Sequence, residues 1–140
     1  FTCIDENNKI VIFKGLKELL EAWYVKRIEY NDKRKQHLLA SMQEEMDYTN
    51  ARAKFIQGVV DGAIELRNAK EAAVVTQAEA YDAILQGRVK GFLGLPMRSL
   101  TTEEIAKLKA KAKALKSEII SYSKHTFEDI LIQDLVTINF

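Results

Sequence analysis

The residues able to do chemistry in this 140-residue chain are few and scattered. His37 and His125 have no cysteine or histidine nearby at ligand spacing, so surface or helix-end placement is expected for both and no metal role for either. Cys3 is the only cysteine, which excludes an internal disulfide and any multi-cysteine zinc site and suits a reducing interior. No Asp-x-Asp pair offers a magnesium site, and no glycine-rich loop ending in Lys-Ser or Lys-Thr cradles a nucleotide. No catalytic or metal-binding residue is therefore assigned. What remains is positive charge without a reactive centre: Lys26, Arg27, Lys33, Arg34 and Lys35, then lysines 107, 109, 111, 113 and 116. Such clusters bind phosphates without reading bases, or they are solvated helix faces partly neutralised by Glu29, Asp32, Glu44 and Glu45. The second account is preferred for any single lysine, since a net charge of +1 leaves no general attraction to nucleic acid.

The elements that carry these clusters are long helices. Five of the six glycines and the only proline fall between Gly58 and Pro96, leaving breaker-free stretches from Leu16 to Gln57 and from Met97 to Phe140. At 1.5 Å per residue the first would run on the order of 60 Å if wholly helical, about twice the width of a small domain. The pattern predicts a long antiparallel helical hairpin with an elaborated tip, a strut that holds something at a distance. With 47% apolar and 29% charged residues the chain forms one folded unit. No apolar run approaches the roughly 18 residues of a membrane span, so no membrane partner and a soluble, intracellular setting are expected. The chain opens on strand-like sequence at Phe1, which reads as a piece of a longer protein.

Along the chain, β-formers either side of Asp5 to Asn8 predict a short hairpin over Phe1 to Phe13. After Gly15, Leu16, Leu19, Leu20 and Trp23 make one apolar face, a polar stretch runs from Asn31 to Gln36, and Leu38, Leu39 and Met42 resume. Met46, Thr49, Ala53, Ile56 and Val60 then recur at coiled-coil spacing, with a weak section at Thr49 and Ala53 that a partner helix must approach closely. Thr101 or Thr102 ahead of Glu104 signals a helix start. Ile105, Leu108, Ala112, Leu115, Ile119 and Tyr122 form its single apolar stripe. Thr126 restarts a final helix carrying Phe127, Ile130, Leu131, Leu135 and Ile138, with a bend near Lys124 to His125. Antiparallel pairing would match residues whose numbers add to about 158, placing Ile119 on Leu39 and Leu135 on Trp23. Trp23 and Tyr30 are expected against the final helix. In the interrupted middle, Ala63 to Asn68 reads as extended and Lys70 to Leu85 as a helix ended near Gly87. Phe92, Leu93, Leu95 and Met97 form an apolar group that either plugs the hairpin end or exposes a hydrophobic patch.

Three segments go beyond periodicity. Lys26 to Leu39 reads KRIEYNDKRKQHLL, Ala51 to Gly62 reads ARAKFIQGVVDG, and Phe92 to Ile105 reads FLGLPMRSLTTEEI. In this order the chain resembles the coiled-coil and exit-gate region of type IIA DNA topoisomerases. The resemblance rests on Arg27, Tyr30, Arg34, Lys35, Leu38 and Leu39, then on Phe55, Ile56, Val59, Val60, Asp61 and Gly62, then on Leu93, Leu95, Met97, Leu100 and Thr101. Arg52 sits one step early, with Lys54 before Phe55, and Pro96 is a departure that should kink this copy. The short run between Asp61 and Phe92 is closest in style to the breakage-reunion, medium subunit of T-even-like bacteriophage topoisomerases.

The resemblance implies the end of a preceding domain over 1–14, a long coiled-coil helix over 15–57, a dimerising exit-gate tip over 58–100, and a returning coiled-coil helix with a final helix over 101–140. The spacing gives a seam of Ile56, Val60, Ile105, Leu108, Ala112, Leu115, Ile119 and Tyr122. The resemblance implies a dimer interface of Phe92, Leu93, Leu95 and Met97, and a cavity for duplex DNA in transit lined by Arg27, Lys33, Arg34 and Lys35. The parent would be an ATP-dependent enzyme that passes one duplex through another, partnered by a second copy and by an ATPase subunit or domain, in the cytoplasm of a bacterial host if of phage origin. The family nucleophile is a tyrosine directly after arginine, whereas Tyr24, Tyr30, Tyr48, Tyr81 and Tyr122 follow Trp, Glu, Asp, Ala and Ser. No cofactor is then expected in this piece, with ATP and Mg belonging to the full enzyme. The competing expectations are a helical adaptor or oligomerisation protein, and a non-specific nucleic-acid-binding coiled coil.

Overall fold

The computed structural model describes residues 1–138; Asn139 and Phe140, the last two of the 101–140 segment, lie outside the described residues. The chain is mainly helical with a short N-terminal antiparallel hairpin. In order the elements are β1 (Thr2–Ile4), β2 (Ile10–Ile12), α1 (Leu16–Val60), α2 (Glu71–Tyr81), α3 (Val89–Phe92), α4 (Thr102–Lys124) and α5 (Phe127–Val136), with single 3-10 turns at Ala83–Leu85 and Met97–Ser99. The chain divides into two compact units where composition suggested one: Phe1–Leu38 with 123–138, and Leu39–Tyr122.

In the first unit the hairpin pairs Thr2 with Ile12, Cys3 with Val11 and Ile4 with Ile10. Its turn is held by Asp5, whose Oδ1 accepts from the amides of Asn7 and Lys9 at 2.9 and 2.7 Å. Asn8 takes the left-handed conformation there, φ 59°, which asparagine tolerates better than most residues. Strand alternation turns Cys3 and Val11 toward a cleft of about 230 Å³ that Phe13, Leu19 and Trp23 also line, and leaves Ile4, Ile10 and Ile12 exposed on the other face. Trp23 lines this cleft under the hairpin, and Tyr30 is 51% exposed. Two local caps restart α5: Thr126 Oγ1 accepts from the Asp129 amide at 3.2 Å, and Asp129 Oδ2 accepts from the Thr126 amide at 3.0 Å.

In the second unit α1 and α4 run antiparallel. Arg52 pairs with Glu104 at 3.5 Å and Glu45 with Lys111 at 2.7 Å, so seven residues back along α1 match seven forward along α4. Beside the Arg52–Glu104 pair Ala53, Ile56, Ile105 and Leu108 form one buried cluster, with Leu95 and Leu100 packed on it. Thr49 is buried without penalty because its hydroxyl donates to the Glu45 carbonyl at 2.8 Å. Thr101 is the residue that starts α4, accepting from the Glu104 amide at 3.3 Å. The segment over 63–68 forms turns and bends rather than a strand, and α2 stops at Tyr81, four residues before Leu85. It stops because Asp82 adopts an extended conformation and its carboxylate accepts from the Ile84 amide at 3.1 Å, opening the 3-10 turn instead.

Candidate functional site

The end of α1 sets up the tip. Gly62 has φ +75°, donates to the Val59 carbonyl at 3.2 Å, and the next amide, Ala63, donates back to the Gly58 carbonyl at 2.9 Å. This is a Schellman closure, which needs a residue free of Cβ strain at the left-handed position and explains the Asp61-Gly62 pair ending the ARAKFIQGVVDG segment. The closure folds Ile64 back over Gly58, where a Cβ would lie 2.7 Å from Ile64 Cδ1 and 3.2 Å from the Tyr81 ring. Around that fold a second core assembles from Ala51, Phe55, Ile64, Val74, Ala78, Leu85, Val89 and Phe92. Lys54 pairs with Asp82 at 3.2 Å, tying α1 to the end of α2. The amide of Ile84 foremost, then Lys54, holds the Asp82 carboxyl below its ordinary range.

The four residues expected to form a dimer interface separate in space. Phe92 is 1% exposed, its ring centroid 5.6 Å from Phe55 and 5.3 Å from Tyr48. It is core, because α3 turns it inward onto α1, and it cannot be part of a free surface patch. Leu93 and Leu95 are half-buried against the same core, and Leu95 reaches both clusters. Met97 alone of the four stands out, 88% exposed on the 3-10 turn that follows Pro96. Pro96 adopts φ −65° and ψ 144°, and this extended residue presents the turn at the surface.

Of the expected seam, Ile56, Ile105, Leu108, Ala112 and Leu115 are buried, while Ile119 and Tyr122 are half-buried. Val60 is 39% exposed and does not join them, because it is the last residue of α1 and the cluster around Ile105 is filled from Ala53 and Ile56.

The basic residues expected to line a DNA cavity are held by partners within the first unit. Arg27 and Arg34 both donate to Asp134 Oδ2, at 3.0 and 3.1 Å. Lys35 Nζ donates to the carbonyls of Ser123 and His125, at 2.9 and 2.6 Å, and Lys33 to Glu29 at 2.8 Å. Hydrogen bonding raises the Lys33 ammonium and lowers the Glu29 carboxyl, and Lys26 and Glu6 affect each other likewise. All four cations named for the cavity are thus held by partners within the chain, in line with the preferred account of a helix face partly neutralised by its own acids. Glu29 was among the expected partners; Asp134 was not, and at 107 residues from Arg27 no local spacing announces it. Among the described residues no three His, Cys, Asp or Glu converge as metal ligands, and no helix is long and apolar enough to cross a membrane.

The chain has the fold found in a solved structure titled Plasmodium falciparum topoisomerase II DNA-binding, cleavage and re-ligation domain, at a TM-score of 0.82 and 19% identity over 96% of this chain and 22% of that one. The A-subunit family of DNA gyrase and topoisomerase IV matches residues 1–139, and the chain belongs to that family. Curated relatives include DNA topoisomerase 2 of Penicillium chrysogenum, 25% identical over 158 residues, covering 91% of this chain and 10% of that protein. The mitochondrial DNA topoisomerase 2 of Dictyostelium discoideum is 22% identical over 148 residues, covering 96% of this chain and 11% of that protein. The chain thus spans about a tenth of the length of these relatives.

Proposed function

We propose that this chain is the coiled-coil hairpin and exit-gate segment of a type II DNA topoisomerase, mechanical in role, within an ATP-dependent parent enzyme that passes one duplex through another. The observation that carries the reading is the family match over 139 residues falling on a chain whose second unit pairs α1 with α4 in antiparallel register and ends in a separately cored tip. Chemistry is assigned to other parts of the enzyme. No tyrosine here follows an arginine, and ATP and Mg are read as belonging with the parent and its ATPase partner. The hairpin of β1 and β2 is read as the end of a preceding domain, since Ile4, Ile10 and Ile12 leave its outer face 71–75% exposed. The compact tip between Asp61 and Phe92 is the feature on which a phage-type origin is read.

The partner at the tip is a second copy, meeting at the Met97 turn with the exposed edges of Leu93 and Leu95. A two-fold contact buries the same residues twice, and an interface core tolerates an unpaired charge poorly. Met97→Glu should therefore weaken self-association by about tenfold or more while leaving far-UV circular dichroism and the melting temperature near those of the parent. Sedimentation equilibrium over a range of concentrations reads the first, a thermal melt the second. A parent that stays monomeric at the highest concentrations, or a dimer indifferent to Met97→Glu, would remove the gate assignment from this turn.

A further inference from the structure

α5 is a short element with little apolar anchorage. It has 10 residues, fewer than the roughly 12–15 at which an isolated helix becomes even marginal in water. Only Ile130 and Leu131 are buried, whereas Ile132, Leu135 and Val136 are 41–75% exposed. It follows a break, since α4 ends at Lys124 and α5 opens at Phe127.

Much of what fastens it to α1 is polar. Arg27, Asn31, Arg34 and Lys35 recur at intervals of four, three and one, which puts them along one side of α1. Arg27 and Arg34 close on the single carboxylate of Asp134, near the end of α5. Lys35 caps the carbonyls at the break and lies 5.5 Å from the Phe127 ring centroid, and Tyr24 reaches Glu128 at 3.5 Å. Asn31 is 2% exposed and its Nδ2 has no protein acceptor, nor has Arg27 Nε. The polar interruption from Asn31 to Gln36, which breaks the apolar face of α1, is thus where the helix break after Lys124 is received. Charge pairs of this kind, 31–53% exposed at the side chain, are screened by salt in a way that the apolar cluster around Ile56 is not.

We propose that α5 is a charge-held latch on α1, opening as a local unit ahead of the rest of the fold, and that its opening unmasks Arg27, Arg34 and Lys35 together as a binding face for a phosphate polyanion. Closure of α5 and polyanion binding then exclude one another, so each must weaken the other by the same factor. The proposal does not rest on the gate reading.

Hydrogen exchange by mass spectrometry on the whole chain tests the latch, with Asp134→Asn as perturbation and Glu21→Gln as a control. Glu21 lies on α1 in the same unit, 67% exposed in a loose pair with Lys17, so its loss changes net charge equally without touching α5. The expected result is protection over 127–136 that falls about tenfold in Asp134→Asn and as much in Lys35→Met, falls further between 0.05 and 0.5 M salt, and is unchanged in Glu21→Gln. A duplex oligonucleotide at low salt should bind Asp134→Asn more tightly than Glu21→Gln, and its addition to the parent should speed exchange over 127–136. Protection over 127–136 equal to that of 16–38 in every variant, or none in the parent, would overturn the latch. Equal duplex affinity in Asp134→Asn and Glu21→Gln would overturn the unmasking.

Discussion

Truncating Phe92 separates an internal tip from an open one. The ring is 1% exposed, sits within about 5.5 Å of two other rings, and belongs to a cluster of eight buried residues. Removing a buried phenylalanine side chain costs ~3–5 kcal/mol, the transfer and cavity contributions together, and aromatic neighbours of this kind push the figure to the upper half, about 4 kcal/mol. Domains are stable by only ~5–15 kcal/mol, so Phe92→Ala should forfeit about a quarter or more of what holds the second unit. For a unit of this size that corresponds to a fall of roughly 15–30 °C in melting temperature. Met97→Ala, at a residue 88% exposed, is the control and should stay within about 0.5 kcal/mol of the parent. Guanidinium titration followed by far-UV circular dichroism measures both, with sedimentation at matched concentrations alongside. If Phe92→Ala lost less than about 1 kcal/mol and instead dissociated a dimer, the phenylalanine would be an interface residue and the burial argument would fail.

Gly58→Ala is a second test, since helix propensity alone favours alanine by about 1 kcal/mol. A Cβ 2.7 Å from Ile64 Cδ1 demands that Ile64 move off a packed core, so a net loss of about 1–2 kcal/mol is expected; a more stable variant would show the Schellman fold-back to be loosely packed. Asp82 predicts an acid dependence of definite sign. Its carboxyl is lowered by the Ile84 amide and then by Lys54, so its contribution is complete above the ordinary value of 3.8 and is lost as pH falls toward and through the lowered folded value. Urea midpoints measured on the parent and Asp82→Asn between pH 6 and pH 2 should converge at the acid end, and parallel curves would refute the linkage.

What the amino-acid order determined by itself is much of what closes within a few residues. The Asn8 turn, the Thr101 start and the Thr126 cap are each made by residues no more than four apart, so their signals are printed side by side in the chain, whereas α1 runs through Gly58, where the sequence suggested an end after Gln57, to the Schellman stop at Gly62. The stripe from Ile105 to Leu115 was likewise readable, because helical spacing already defines a face before any partner is known. Only the tertiary structure decided which apolar residues of Phe92 to Met97 are inside. That run begins on the last residue of a four-residue helix, crosses an irregular link and ends on the first residue of a 3-10 turn, too little of any one period to define a face, and Phe92 and Met97 end at opposite extremes of exposure. The same holds for the basic cluster. Whether Arg27 and Arg34 face phosphate or carboxylate depends on Asp134, brought across 107 and 100 residues by the break after Lys124, and charge at that sequence distance has no pattern until the chain has folded back.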